Sequence, residues 1–237
     1  MSGPRQIPMD LSLPAAQGGK DFLTSPSNET ARHAIAGWQD WPDHRLALTG
    51  PHGSGKSHLT RIWCADSGAS MLDAADLTEG KLATLIEGPG VAIQDVDGLA
   101  GQPGPVRRQV EELLFHLMNI AMAEGISLLV TGRAAPAHWK IELPDLMSRL
   151  SAMVHVRIAE PDDALLSSIL NKLFRDRQMV VGEDVTDYLI KRMERSFSAA
   201  ERIVAELDRV ALAERRGITR PLAASVLNDP MTGLGEP

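Results

Sequence analysis

Residues 50–57, Gly50-Pro51-His52-Gly53-Ser54-Gly55-Lys56-Ser57, spell the pattern G-x-x-x-x-G-K-[ST]. That spacing suits the binding of phosphate. The glycines let the backbone curl until its N–H groups face one point. Lys56 carries a positive charge to the β- and γ-phosphates, and the Ser57 hydroxyl can ligate Mg2+. His58 follows in the helix that the loop opens, whose N-terminal dipole adds to the attraction. The bland alternative is a glycine-rich turn that binds nothing. Four fixed positions between an apolar run and a helical pattern stand against it. The expected ligand is ADP or ATP with Mg2+.

A phosphate loop of this kind needs an acid at the end of a neighbouring strand to hold the metal. The stretch VAIQDVD (91–97) is the candidate. In one register Gln94 takes the first acidic place and Asp95 the second; shifted by one residue, Asp95 is the Mg2+ ligand. Either way one acid is missing or displaced. A neutral amide neither offsets Mg2+ charge nor accepts a proton from water, so nucleotide binding with weak self-catalysed hydrolysis is expected. Asp97 reads as a solvated loop acid.

Around these residues the chain alternates. RLALTG (45–50), ASMLDA (69–74), VAIQDV (91–96), SLLVTG (127–132) and VHVRI (154–158) are short apolar runs. Helical patterns lie between them. The clearest spans 105–124, where Val106, Val110, Leu113, Leu114, Leu117, Ile120 and Ala121 recur at helical spacing. Strands alternating with helices predict a parallel sheet covered on both faces. After Glu160 the strands stop. Pro161 and two acids open a helix with Leu165, Leu166, Ile169, Leu170 and Leu173 on one face. A second helix is expected near 183–195. A third starts at a Ser198/Glu201 capping box, and Thr219 and Pro221 open a short last one. The expected organisation is a flexible tail (1–19), a nucleotide-binding sheet domain (20–160), a helical lid domain (161–229) and a disordered tail (230–237).

The bulk numbers agree with this plan. In 237 residues, 43 % are apolar and 23 % charged, enough for a sizeable core, although aromatics reach only 4 %. The net charge of −7 argues against direct DNA binding by the whole surface. The single cysteine, Cys64, excludes an internal disulfide and reads as a small, buried helical residue. No run approaches a membrane span or a signal peptide, so a cytoplasmic location is expected. Trp38, Trp41 and Trp63 read as packing, and His116 as helix surface.

Taken in order, GPHGSGKSHL, VAIQDVDGL, LLVTGR and LPDLMSRL (143–150), followed by a helical lid, resemble the AAA+ module of the DnaA family, the bacterial initiators of chromosome replication. DFLTSPSNETA (21–31) is similar to the segment that packs near the adenine there. The resemblance covers about residues 20–228. It implies five parallel strands in the order 5-1-4-3-2, with nucleotide held between sheet domain and lid. It implies that Thr131 is a polar sensor of the nucleotide, where the residues alone read as an ordinary strand-end threonine. It also implies an arginine from the third lid helix at the phosphates. The aligned position is Ala200, so either Arg202 acts from a shifted place or the contact is lost. In LPDLMSRL, Arg149 matches the arginine finger. From spacing alone Arg149 pairs with Asp145 at i,i+4; the resemblance favours a finger acting in trans on a partner's ATP.

The DNA-binding domain that follows the lid in full-length members of that family is expected to be absent here. A DnaA-like module with a short N-terminal tail resembles the Hda-type regulators, which dock on the DNA polymerase III sliding clamp (its beta subunit) through a peptide of pattern Q-L-x-L-x-L. The tail carries QIPMDL, in which Gln6 matches and Ile7, Met9 and Leu11 take the apolar places. The resemblance therefore implies the clamp and DnaA as partners, nucleoid association through the clamp, no sequence-specific DNA contact, and a homodimer as an open option. The rivals are an autonomous AAA+ ATPase such as a helicase loader, and a clamp-tethered binding module with no effect on a partner's nucleotide.

Overall fold

Side-chain alternation along three short strands decides which helices cover which face of the sheet. In β1 (Arg45–Thr49), Leu46 and Leu48 join one buried cluster while Ala47 joins another. β3 (Gly90–Gln94) and β4 (Ser127–Gly132) do the same, sending Val91, Ile93, Leu128 and Val130 one way and Ala92 and Leu129 the other. This period of two is what an extended strand imposes, and apolar residues at both phases require cover on both faces. With β2 (Ser70–Asp73) and β5 (His155–Arg157), the strands form one parallel sheet in the order β2-β3-β4-β1-β5. That is the expected 5-1-4-3-2 order. The computed structural model describes residues 23–228, so the expected tails, 1–19 and 230–237, lie outside the described residues.

One face carries α1 (Glu29–Ala36) and α2 (Lys56–Ser67). Their core holds the tryptophans: Trp41 stacks on Trp63 with ring centres 5.2 Å apart, and Trp38 meets Trp63 edge-on. The other face carries α3 (Glu79–Leu85), α4 (Gly104–Glu124) and α5 (Pro144–Ser151). The predicted apolar stripe of α4 is buried from Val110 to Ala121, except that Ile120 is partly covered and Val106 is exposed. Val106 sits in the first turn, beyond the sheet's edge of the core. His116 is exposed, as expected.

The lid is a second core of its own. It comprises α6 (Asp163–Asp176), α7 (Glu183–Ile190), α8 (Phe197–Glu214) and α9 (Arg220–Leu227). Asp162 caps α6, its side chain accepting from Leu165 N. Two expectations need correction. The helix expected near 183–195 ends at Ile190. The cap of α8 is Ser196, whose hydroxyl accepts from Ala199 N, and not Ser198. The position that would complete a box with Ser196 is Ala199, so there is no reciprocal carboxylate, and the cap instead brings Phe197 and Ser198 onto the phosphate loop.

Candidate functional site: a phosphate loop under a helical lid

The loop between β1 and α2 is folded by its glycines. Gly50, Gly53 and Gly55 have φ of +156°, +67° and +101°, where an L side chain is strained. Space forbids one as well at two of them. A Cβ on Gly50 would lie 2.6 Å from Ile158 O, and one on Gly53 would lie 2.7 Å from Ser196 Cβ and closer still to Ser198 Oγ. The loop is thus a bare-backbone cradle at the C-terminal ends of parallel strands, where α/β sheets bind ligands. Lys56 is buried, and its Nζ donates to Gly50 O (2.8 Å) and Pro51 O (2.9 Å). Burial pulls its pKa down, the carboxylates of Asp95 and then Asp97 push it back up, and Arg133 lowers it again. The Ser54 hydroxyl is buried in the loop with no hydrogen-bond partner. His52 and Ser57 are exposed, while Pro51 and His58 are partly covered.

The acids arrive from the end of β3. Asp95 takes a left-handed conformation (φ +51°), and its N–H donates to the hydroxyl of Thr131 at the end of β4 (3.0 Å). Thr131 is buried. Gln94 turns the other way: its Nε2 donates to Asp73 Oδ1 on β2 (3.4 Å), its direct partner in the strand register. Asp97 is not merely solvated. Its Oδ2 accepts from Arg133 N (2.9 Å), tying the turn after β3 to the turn after β4.

From the lid, Phe197 N donates to Gly53 O (2.8 Å), and the Phe197 ring meets His58 edge-on with centres 6.4 Å apart. Ala200 is buried and Arg202 points outward to Glu194 (3.6 Å). The first turn of α8 therefore presents serines, not an arginine, to the loop.

These groups fit the phosphates of a nucleotide. The cradle admits no Cβ, a buried cation sits at its end, the Ser54 hydroxyl lacks a partner, and the twelve residues of α2 begin at Lys56. The other expected residues lie apart from this cluster. Arg149, on α5, is joined by no contact to the Gly50–His58 loop among the described residues. Its guanidinium carbon lies 4.8 Å from the ring centre of Phe115 on α4. Among the described residues it makes no ion pair with Asp145. Gln6, Ile7, Met9 and Leu11 lie outside the described residues. The Cys64 side chain is partly buried on α2, and burial raises its pKa to about 11.

Several residues of interest escaped the sequence reading. Arg133 carried a signal, since it directly follows β4 at the ligand-binding edge of the sheet. Ser196 did not: only the docking of the lid places it against Gly53, beside the Ser198 that the sequence reading had taken for the cap.

Residues 163–227 match the family model of the Hda lid domain. The fold is similar to that of domain III of the replication initiation protein DnaA from Thermotoga maritima. The TM-score is 0.74 at 20% sequence identity, over 89% of this chain and 95% of that one. It is also similar to AMPPCP-bound DnaA from Aquifex aeolicus, with TM-score 0.66 at 14% identity, over 86% of this chain and 67% of that one. A match to the Hda lid domain over residues 163–227 thus sits on a sheet domain with the fold of DnaA domain III.

Proposed function

We propose that the chain is a DnaA-associated negative regulator of replication initiation, which binds adenine nucleotide, docks on the sliding clamp and stimulates ATP hydrolysis by DnaA through Arg149. The observation that carries this reading is the state of Arg149. Its guanidinium lies by an aromatic ring and is paired with no carboxylate among the described residues, although Asp145 is one helical turn away. Contact through the face leaves the planar fork of N–H donors free for a phosphate. An arginine supplied across an interface stabilises charge developing on a γ-phosphate, with effects of order 10³–10⁵ in GTPases.

The chain's own loop serves binding. Gly50–Ser57 would hold the phosphates of ADP or ATP, with Lys56 as the cation and Thr131 orienting Asp95 through its backbone N–H. Mg2+, bound with the nucleotide by Ser57 and Asp95, would neutralise phosphate charge. Gln94, engaged with Asp73, supplies no second carboxylate, which supports weak turnover by the chain alone. Gln6, Ile7, Met9 and Leu11 would dock on the clamp. Concentrating the chain on DNA in this way makes a weak contact with DnaA effectively intramolecular. An autonomous ATPase is the rival that the test separates from this reading.

The experiment adds the intact chain, or the chain lacking residues 1–13, to DnaA preloaded with ATP in the presence of clamp-loaded DNA. Acceleration that needs both the clamp and the tail is expected, with little turnover by the chain alone. Robust turnover without DnaA, and no effect on DnaA-bound ATP, would overturn the proposal.

A further inference from the structure

We infer that a stripe on α4, Arg107–Glu111–Phe115, is the seat that positions Arg149. Glu111 fixes the entry to α5 and Phe115 holds the guanidinium; the inference rests on Arg149 acting on a partner's phosphate. The three residues are spaced i, i+4, i+8 and share one helix face. Glu111 is the anomaly that draws attention. It is 1 % exposed in the middle of an apolar helix. A buried carboxylate persists only where its oxygens are satisfied, and every partner of this one serves the segment before α5. Its Oε1 accepts from Arg107 Nε (2.9 Å), and its Oε2 accepts from Glu142 N (2.9 Å) and Leu143 N (2.8 Å). Arg107 in turn bonds Lys140 O and the Glu142 carboxylate (3.0 Å). Residues 140–143 are thereby sewn to α4.

Ile141 and Leu143 of that segment pack on the core, but its backbone has no local cap. The residue that caps α5 is Leu143, which has no side-chain acceptor, and the first helical residue is Pro144, which has no N–H. Glu111 supplies from a neighbouring helix the fixed entry that a local cap would give. From there α5 is short and stiff. Leu146 and Leu150, both fully buried, set its rotation, and Arg149 arrives against Phe115, one turn beyond Glu111. The ring contacts the guanidinium without consuming a donor, whereas a carboxylate in the same place would occupy the fork. A buried ion pair is no requirement for stability, since apolar residues of similar volume often serve as well. Its geometry here serves placement.

The test reads maximal rate separately from half-saturating concentration, in single-turnover hydrolysis of ATP preloaded on DnaA. It also reads the Arg149 Nε–H resonance in the chain alone. Phe115→Leu keeps the bulk and removes the ring. It is expected to lower the maximal rate roughly 2- to 5-fold at unchanged half-saturation and to abolish the ring-current shift of Nε–H. Phe115→Tyr restores both. Glu111→Gln is expected to move the same resonance and lower the same rate, though it touches neither Arg149 nor the partner. Arg149→Ala runs beside them. If Arg149→Ala abolishes stimulation while Phe115→Leu and Glu111→Gln keep the wild-type maximal rate and resonance, the seat is refuted and the finger stands. If Arg149→Ala has no effect, the finger itself is refuted and the seat falls with it.

Discussion

Gly53→Ala tests the contact between lid and phosphate loop, and Gly125→Ala supplies its control. The two glycines have nearly the same backbone, φ +67° and +68°. Both substitutions therefore carry the left-handed strain of an L residue, about 1–2 kcal/mol. They differ in what a methyl group would meet. At Gly125, the residue that ends α4, nothing lies within 4 Å. At Gly53 a Cβ would come within 2.7 Å of Ser196 Cβ and also strike Ser198 Oγ. The serine hydroxyl can rotate away, but Ser196 Cβ is fixed by the cap of α8, so the lid must retreat. Retreat breaks the bond from Phe197 N to Gly53 O, worth about 1 kcal/mol, on top of the strain. The expected extra cost of Gly53→Ala over Gly125→Ala is about 1 kcal/mol or more, which speeds exchange of the Phe197 amide roughly 5- to 10-fold. Amide hydrogen exchange read at Phe197, together with thermal melting of both variants, checks this. Equal melting losses with unchanged Phe197 protection would show that the lid does not rest on Gly53.

Three further outcomes are expected. Gln94→Glu places a second carboxylate directly opposite Asp73, so stability at pH 7 should fall by about 0.2–1 kcal/mol. Denaturant melts should show the loss shrinking with added salt; a loss independent of salt would contradict it. Glu111→Ala leaves the Arg107 side chain, only 12% exposed, without its buried partner, an effect of about 3–5 kcal/mol. Circular-dichroism melting should register a drop of roughly 10 °C, and a drop under about 2 °C would show that the trio carries little. Because burial raises the Cys64 pKa to about 11, its alkylation rate should keep climbing with pH beyond 9 in the folded chain, as the thiolate is the nucleophile. A plateau near pH 9 would mean an ordinary exposed thiol.

The sheet was legible because its cause is local. Strands such as LLVTG are apolar at both phases, and only a sheet covered on both faces accepts that pattern. The phosphate loop was legible for a similar reason: its glycines are dictated by backbone angles that leave a mark in the sequence. What could not be read comes from contacts between distant segments. Glu111 looks like one more charge on a long helix until Leu143 is brought against it. Gln94 was ambiguous along the strand, and its partner is Asp73, 21 residues away. The start of α8 was misread because Ser196 and Ser198 both suit a cap, and the choice falls to Ser196 in the lid that packs on Gly53. Val106 fits the helical period but lies beyond the core that the period was meant to fill.

The most direct measurement is the maximal rate of hydrolysis of ATP preloaded on DnaA, at saturating concentrations of this chain and of clamp-loaded DNA, for the wild type, Arg149→Lys and Arg149→Ala. The account predicts that Arg149→Ala loses nearly all the acceleration. Arg149→Lys, with its charge but no planar fork, should recover only a small part. Wild-type acceleration by Arg149→Ala would contradict the account, leaving a chain that binds without acting on its partner's nucleotide.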